Sequence, residues 1–140
     1  MKYSAHPPTV HLPVGLLIGS NIFDTVYLIV SDPVWQTISY NVLLTGLLSV
    51  VPALITGVIE LLSIDSGKER ELKTALYHMS LMCLSALLYF AAFIVRKQGE
   101  LTYSNFVITY SLQSAGLILL TPGGWLGGKL VYKYKIGAER

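Results

Sequence analysis

Four long apolar stretches dominate the chain, and short polar segments separate them. They run roughly from Leu12 to Val30, Tyr40 to Leu62, Thr74 to Val95 and Tyr103 to Gly127. Each is close to the ~20 residues that a helix needs to cross the hydrocarbon core of a bilayer. The pattern predicts an all-α integral membrane four-helix up-down bundle. We expect one domain over residues 1–140, with helices at about 12–30, 40–62, 67–95 and 103–128.

Local signals suggest where two of these helices begin. Consecutive prolines after His6 disfavour helical backbone in the preceding residues, so we expect the first helix to start only after Pro8, with Thr9 as a cap. The spacing of Ser66 and Glu69 is that of a capping box, which predicts a third helix beginning near residue 67. No internal repeat is visible in the sequence.

Composition supports a membrane location. The chain is 53% hydrophobic and 13% charged, with a net charge of +2 and a mean hydropathy of +0.58, outside the usual range of soluble domains. No basic tract with interleaved aromatic residues is present, so nucleic acid is not an expected partner. The single cysteine, Cys83, lies in an apolar stretch and is expected to be a packing residue.

Basic residues are distributed unequally between the two ends of the predicted helices. One end carries Lys2, Lys68, Arg70, Lys73, Lys129, Lys133, Lys135 and Arg140, and the other carries Arg96 and Lys97. Cytoplasmic loops of membrane proteins are enriched in lysine and arginine. We therefore expect a multi-pass protein of the cytoplasmic (inner) membrane with both termini in the cytoplasm.

All three histidines fall at one end of the predicted bundle. Helices one and three enter there with His11 and His78, His6 precedes the first helix, and helix two arrives with Glu60. Ionisable side chains inside a membrane are costly and often functional, and imidazole is the commonest protein ligand for metals. A cofactor site near this surface is the resulting hypothesis.

Asp24 lies far from these histidines along helix one and points away from the face of His11. It forms a polar stripe with Ser20, Asn21 and Thr25. Hydrogen-bonded contact between helices is the simpler interpretation, and a proton path is the alternative.

Several motifs together resemble a known family. They are His6-Pro7, Val10-His11-Leu12-Pro13, Asp24, Thr56-Gly57 followed by Glu60, His78, and the closing segment Gly123-Gly124-Trp125-Leu126-Gly127-Gly128-Lys129-Leu130-Val131-Tyr132 with Gly137. They resemble the prokaryotic four-helix membrane domain of unknown function 2231 family over nearly the whole chain. Members of that family also occur fused to Rieske iron-sulfur or cytochrome c domains, which implies work near an electron-transfer chain. The family often has an acidic residue or histidine at the position of Lys129, and more often aspartate at that of Glu60.

The leading hypothesis is a b-type haem for electron transfer. Such a haem needs axial ligands on facing helices at matching depth, and His11 and His78 are the predicted pair. Gly15 and Gly19 continue the face of His11 and could lie against the macrocycle, while Lys129 could reach a propionate.

Two alternatives stay open at this point. A mononuclear zinc, iron or copper site could use His6, His11, His78 and Glu60. The protein could instead be a non-catalytic accessory subunit of a larger respiratory or redox complex, with lipid and that complex as its partners.

Overall fold

The computed structural model describes residues 5–97 and 103–137, and they form four long helices. Helix α1 covers His6–Val30, α2 Val34–Leu62, α3 Glu69–Lys97 and α4 Tyr103–Tyr132. Their 25 to 30 residues correspond to about 37 to 45 Å of helix rise, more than the hydrocarbon thickness of a bilayer. All four are long and apolar enough to span a membrane. The prediction of an all-α four-helix membrane bundle is confirmed.

Helix α1 begins earlier than predicted. It starts at His6, preceded by Ala5 as the cap residue, and both prolines occupy its first turn. The expectation of a start after Pro8 was wrong because first-turn amide positions have no intrahelical acceptor, so proline loses nothing there. Thr9 does not act as the cap. Its hydroxyl donates to the carbonyl of His6 at 2.8 Å and lies 2.9 Å from the Thr56 hydroxyl of α2.

The turn between α2 and α3 is organised by Asp65. Its carboxylate accepts the N–H of Gly67 at 3.1 Å, and its carbonyl accepts the N–H of Lys68 at 2.9 Å. Helix α3 then begins at Glu69. The predicted start near residue 67 was therefore close, although the turn is held by hydrogen bonds to Asp65 rather than by a Ser66–Glu69 capping box.

The helices associate as two hairpins. Helix α1 packs along α2 and α3 packs along α4, whereas the two hairpins meet less extensively, through α2 against α3 and α1 against α4. An apolar layer joins the hairpins near the middle of the bundle and is formed by Leu17, Leu43, Tyr89 and Leu120. The looser interface between the hairpins leaves room for a cavity on the histidine side of this layer.

The two hairpins repeat one arrangement of residues at constant spacings, although no internal repeat is visible from sequence identity. Asp24 and Arg96 lie 72 positions apart, and the same spacing relates three further pairs from α1 and α3: His6 with His78, Pro13 with Ser85, and Leu17 with Tyr89. A second constant spacing relates α2 to α4, through Ser39 with Thr109, Gly46 with Gly116, Pro52 with Pro122, and Gly57 with Gly127.

Burial follows the same correspondence. The paired residues Leu17 and Tyr89, like Asp24 and Arg96, are buried in both halves. Gly46 and Gly116 both make room for a side chain of the neighbouring helix. A Cβ on Gly46 would lie 3.1 Å from Leu17, and a Cβ on Gly116 would lie 2.8 Å from Tyr89. The bundle therefore has a pseudo-twofold axis along the helices, as expected for a parallel repeat in a membrane protein.

The end of the bundle away from the histidines is closed by what we call the polar layer: Ser20, Asp24, Ser39, Arg96 and Gln113. Arg96 donates to Asp24 at 2.5 Å and to the Ser39 hydroxyl at 3.0 Å. Gln113 donates to the second oxygen of Asp24 at 2.7 Å and accepts from Ser20 at 2.8 Å. The layer takes side chains from all four helices and lies about 27 Å of helix rise from the histidines.

Arg96 thus belongs inside the bundle. Its side chain is almost fully buried, although the charge count had placed it in a loop. The prediction that the stripe around Asp24 makes hydrogen bonds between helices is confirmed: Asn21 donates to the Tyr89 hydroxyl at 2.6 Å, and the Thr25 and Tyr110 hydroxyls lie 3.0 Å apart.

We predict that Asp24→Asn destabilises the bundle strongly. The substitution keeps the side-chain shape but leaves the buried Arg96 guanidinium without its counter-charge, which costs about 3–5 kcal/mol. Thermal unfolding of the purified protein in detergent measures the effect. The matched control is Asp32→Asn in the exposed α1–α2 turn, where asparagine can accept the same Val34 N–H. Equal stability of the two variants would contradict the prediction.

Candidate cofactor site between the hairpins

His6 binds to the opposite helix of its own hairpin. Its Nδ1 lies 3.1 Å from the carbonyl oxygen of Ala53 and 3.2 Å from the Thr56 hydroxyl. The ring also rests on Gly57, where a Cβ would come within 2.9 Å of the His6 Cε1. The side chain is half-buried. His6 therefore lies within α1 and contacts α2, whereas the sequence predicted that it precedes the first helix.

His78 repeats this arrangement in the second hairpin. Its Nδ1 lies 2.8 Å from the carbonyl oxygen of Gly123, and a Cβ on Gly127 would lie 2.9 Å from the His78 Cε1. In both hairpins the glycine follows the accepting carbonyl by one turn. A helical Cβ points toward the N-terminus and would cover that carbonyl. Glycine leaves the carbonyl open to an imidazole.

These contacts fix the protonation pattern of both rings. A carbonyl oxygen can only accept a hydrogen bond, so the bonded Nδ1 must carry the hydrogen in each histidine. The neutral ring then has a free lone pair on Nε2. Metal-binding histidines commonly have this arrangement, in which one ring nitrogen donates to a backbone carbonyl while the other binds the metal.

The two histidines meet across the pseudo-twofold axis. Their ring centres lie 6.3 Å apart, and the ring planes are inclined by 77°. Both rings line a cavity of about 880 Å³ between the hairpins. Its remaining walls are mostly apolar, formed by residues such as Leu17, Leu47, Met82, Phe93 and Leu120. The volume lies within the range of pockets that hold prosthetic groups and other small molecules, about 300–1,000 Å³.

His11 also lines the cavity, but its side chain is exposed. The ring that contacts His78 is that of His6, so the expected face-to-face pair of His11 and His78 is replaced by His6 and His78. The reason is the early start of α1, which brings His6 into the helix and directs it inward. Gly15 has open space around its Cβ position, and Gly19 faces Val42 of α2. Neither glycine is among the residues that line the cavity.

Glu60 and Lys129 have different surroundings. Glu60 lines the cavity and contacts the C-terminal turn, where Gly137 has a φ of +75° and a Cβ would lie 2.5 Å from the Glu60 Oε1. The Lys129 ammonium lies over the rings of Trp125 and Tyr134, at 5.4 and 5.8 Å from their centres. Lys129 is not among the cavity-lining residues.

A metal site made of protein ligands alone finds little support in the part of the chain that the structure describes. Within residues 5–97 and 103–137 no group of three or more His, Cys, Asp and Glu side chains is close enough to hold a metal ion. The hypothetical set of His6, His11, His78 and Glu60 is therefore not assembled there.

One sequence signal could have found the histidine pair. Pro52-Ala53 is followed by Gly57, and Pro122-Gly123 is followed by Gly127 at the same spacing. Each motif lies in the helix after a histidine, and the two copies seat that histidine in the same way. Few other equivalent positions carry the same residue in both halves, so the repeat is weak at the level of sequence identity.

The fold and site define a multi-pass helical membrane protein built from two like hairpins, with a histidine pair on their shared axis. The sequence model of the family described as "Predicted membrane protein (DUF2231)" matches residues 2–140, and the chain belongs to this family. The suspected family resemblance is thereby confirmed. No curated protein and no solved structure matches the chain.

We predict that Gly127→Ala displaces His78. The added methyl group would overlap the ring and open the bond to the Gly123 carbonyl, and overpacking of this kind costs about 1–3 kcal/mol. Nitrogen NMR of ¹⁵N-histidine-labelled protein reports whether Nδ1 still carries the hydrogen.

The control is Gly124→Ala in the same helix, where a Cβ meets nothing within 4 Å. Alanine there should leave the histidine signals unchanged and stabilise the helix by up to about 1 kcal/mol. An unchanged His78 signal in Gly127→Ala would refute the proposed role of this glycine.

Proposed function

We propose that the protein is a membrane-embedded electron-transfer protein that binds a b-type haem between His6 and His78. The observation that carries the proposal is the pair of imidazoles that line one cavity, each with Nδ1 held by a backbone carbonyl, which leaves Nε2 as the ring nitrogen that can ligate. This revises the ligand pair expected from the sequence, with His6 taking the place of His11.

The number of available ligands favours haem over a bare metal ion. A zinc, iron or copper ion bound by protein alone commonly needs three or four side chains. A haem brings four equatorial nitrogens and takes only one or two axial ligands from the protein. The two imidazoles that line the apolar cavity could supply that number.

The spacing of the rings is also compatible with axial ligation. Imidazole nitrogens bind metals at about 2.0–2.1 Å, so the centres of two imidazoles on opposite sides of one metal lie roughly 6–6.5 Å apart. The ring centres of His6 and His78 are separated by 6.3 Å. The mostly apolar walls suit a macrocycle, since an apolar surround also tunes the potential of a bound haem.

Electron transfer follows from the same ligand set. His6 and His78 would hold the group from both sides and leave no position for oxygen or a substrate, so one-electron exchange is the chemistry that it would supply there. The fusion of family members to Rieske and cytochrome c domains, noted with the resemblance, points in the same direction. The redox partner would be a respiratory or related membrane complex.

We expect the protein purified in detergent, from cells that make haem, to show a Soret band and, after reduction, the α and β bands of a six-coordinate b-type haem. His6→Ala and His78→Ala should each abolish this spectrum, because either change removes an axial ligand. Visible absorption of oxidised and reduced samples is the measurement.

His11→Ala provides the matched control, since its exposed side chain should be dispensable. A colourless wild-type protein with haem supplied would overturn the proposal and favour the accessory-subunit alternative. Loss of haem in His11→Ala, with retention in His6→Ala, would restore His11 as the ligand.

We further infer that the histidine end faces the cytoplasm, in the cytoplasmic membrane. Lys68, Arg70, Lys73, Lys133 and Lys135 are exposed at this end. Because Arg96 at the other end is buried in an ion pair, the asymmetry of free basic charge is larger than the sequence count suggested.

A fusion of green fluorescent protein to the C-terminus should therefore fluoresce, and a fusion of alkaline phosphatase at the same position should be inactive. Insertions of the same reporters in the 63–68 turn, which lies at the same end, should behave alike. Active phosphatase at both positions would contradict the inferred orientation and show that the histidine end faces away from the cytoplasm.

A further inference from the structure

We propose that the polar layer determines which hairpins pair, so that the α1–α2 hairpin binds the α3–α4 hairpin and rejects its own kind from a second copy of the chain. This interaction specificity is independent of the haem proposal. It rests on the internal repeat and on the contacts of the buried ion pair.

The two hairpins present nearly the same surface at the histidine end. Each offers one imidazole bonded to the following helix, and each places a glycine beneath it. Two copies of the first hairpin would bring His6 against His6 with the same fit that joins His6 to His78. The histidine contact itself does not distinguish a like pair from an unlike pair, although Glu60 and the turn at Gly137 also meet at this end of the native pair.

The polar layer is different, because equivalent positions there have become complementary. Asp24 corresponds to Arg96, and the two bind each other across the axis. Leu43 corresponds to Gln113, whose amide donates to Asp24. Ser20, which donates to Gln113, corresponds to Ala92. The hydroxyl that accepts from Arg96 is Ser39, and its equivalent Thr109 is also a hydroxyl residue.

Like pairing would therefore bury two carboxylates or two guanidinium groups on the axis. Asp24 and Arg96 side chains are 0% and 1% exposed, so water could not screen such a pair. Specific association often depends on repulsion in the wrong complex as much as on attraction in the right one. The charge pair supplies both effects at one position.

The full chain allows a direct test in which residues of the polar layer are exchanged with their equivalents in the other hairpin. The interactions are then the same but lie half a turn further about the axis. The variant exchanges three pairs of equivalent residues at the polar layer: Asp24→Arg with Arg96→Asp, Leu43→Gln with Gln113→Leu, and Ser20→Ala with Ala92→Ser. We call this the rotated variant. Ser39 and Thr109 stay, because either can accept from the arginine. The comparison variants are Asp24→Arg alone and Arg96→Asp alone.

The rotated variant should remain a folded monomer in detergent, with a Tm within about 5 °C of the wild type. Each single variant should fall by more than about 10 °C or lose its cooperative transition, since it buries two like charges. A rotated variant as unstable as Asp24→Arg would overturn the equivalence of the hairpins. Single variants as stable as the wild type would overturn the role of the charges.

Co-expression tests the choice of partner itself. A tagged Asp24→Arg chain retains a normal second hairpin, and an untagged Arg96→Asp chain retains a normal first hairpin. These two hairpins can form a native polar layer between the chains, so the untagged chain should be captured through the tag. Tagged and untagged Asp24→Arg chains together should give no capture. Capture in both mixtures, or in neither, would refute the proposed specificity.

Discussion

The structure depends on one constraint, which is that charges inside a membrane bundle must be neutralised within the bundle. Asp24 and Arg96 satisfy it together with Ser39 of α2, Gln113 of α4 and Ser20 of α1 itself. Without a general hydrophobic force between helices in lipid, close packing and hydrogen bonds between helices determine which helices associate. The polar layer draws all four helices together at one end. At the histidine end the hairpins leave a partly open cavity between them.

The repeat explains why a site forms where it does. A pseudo-twofold axis makes any residue near it meet its own equivalent, so one histidine per hairpin is enough to create a pair. The same geometry makes Asp24 meet Arg96 at the opposite end. Two short motifs, each a histidine seated on a carbonyl beside a glycine, thus produce a site that neither hairpin contains alone.

Much of the fold could be predicted from the sequence, because four apolar stretches of membrane-spanning length allow few other architectures. The cluster of histidines at one end was also predictable from alternating helix direction. The identity of the contacting pair was not, since it depends on whether α1 starts before or after its two prolines. A single turn of extra helix brings His6 inward and leaves His11 exposed.

The role of Arg96 is a second feature that the sequence alone could not predict. Counted as a loop charge, it supports an orientation, but as the partner of Asp24 it is part of the core. The two halves look unrelated in the sequence because few of their equivalent positions carry the same residue. Among the equivalent positions that differ, Asp24 and Arg96 bind each other across the axis, and Gln113, the equivalent of Leu43, donates to Asp24. A difference between equivalent residues is thus informative when the two residues are chemically complementary. Here such differences identify the surface through which the two hairpins bind each other.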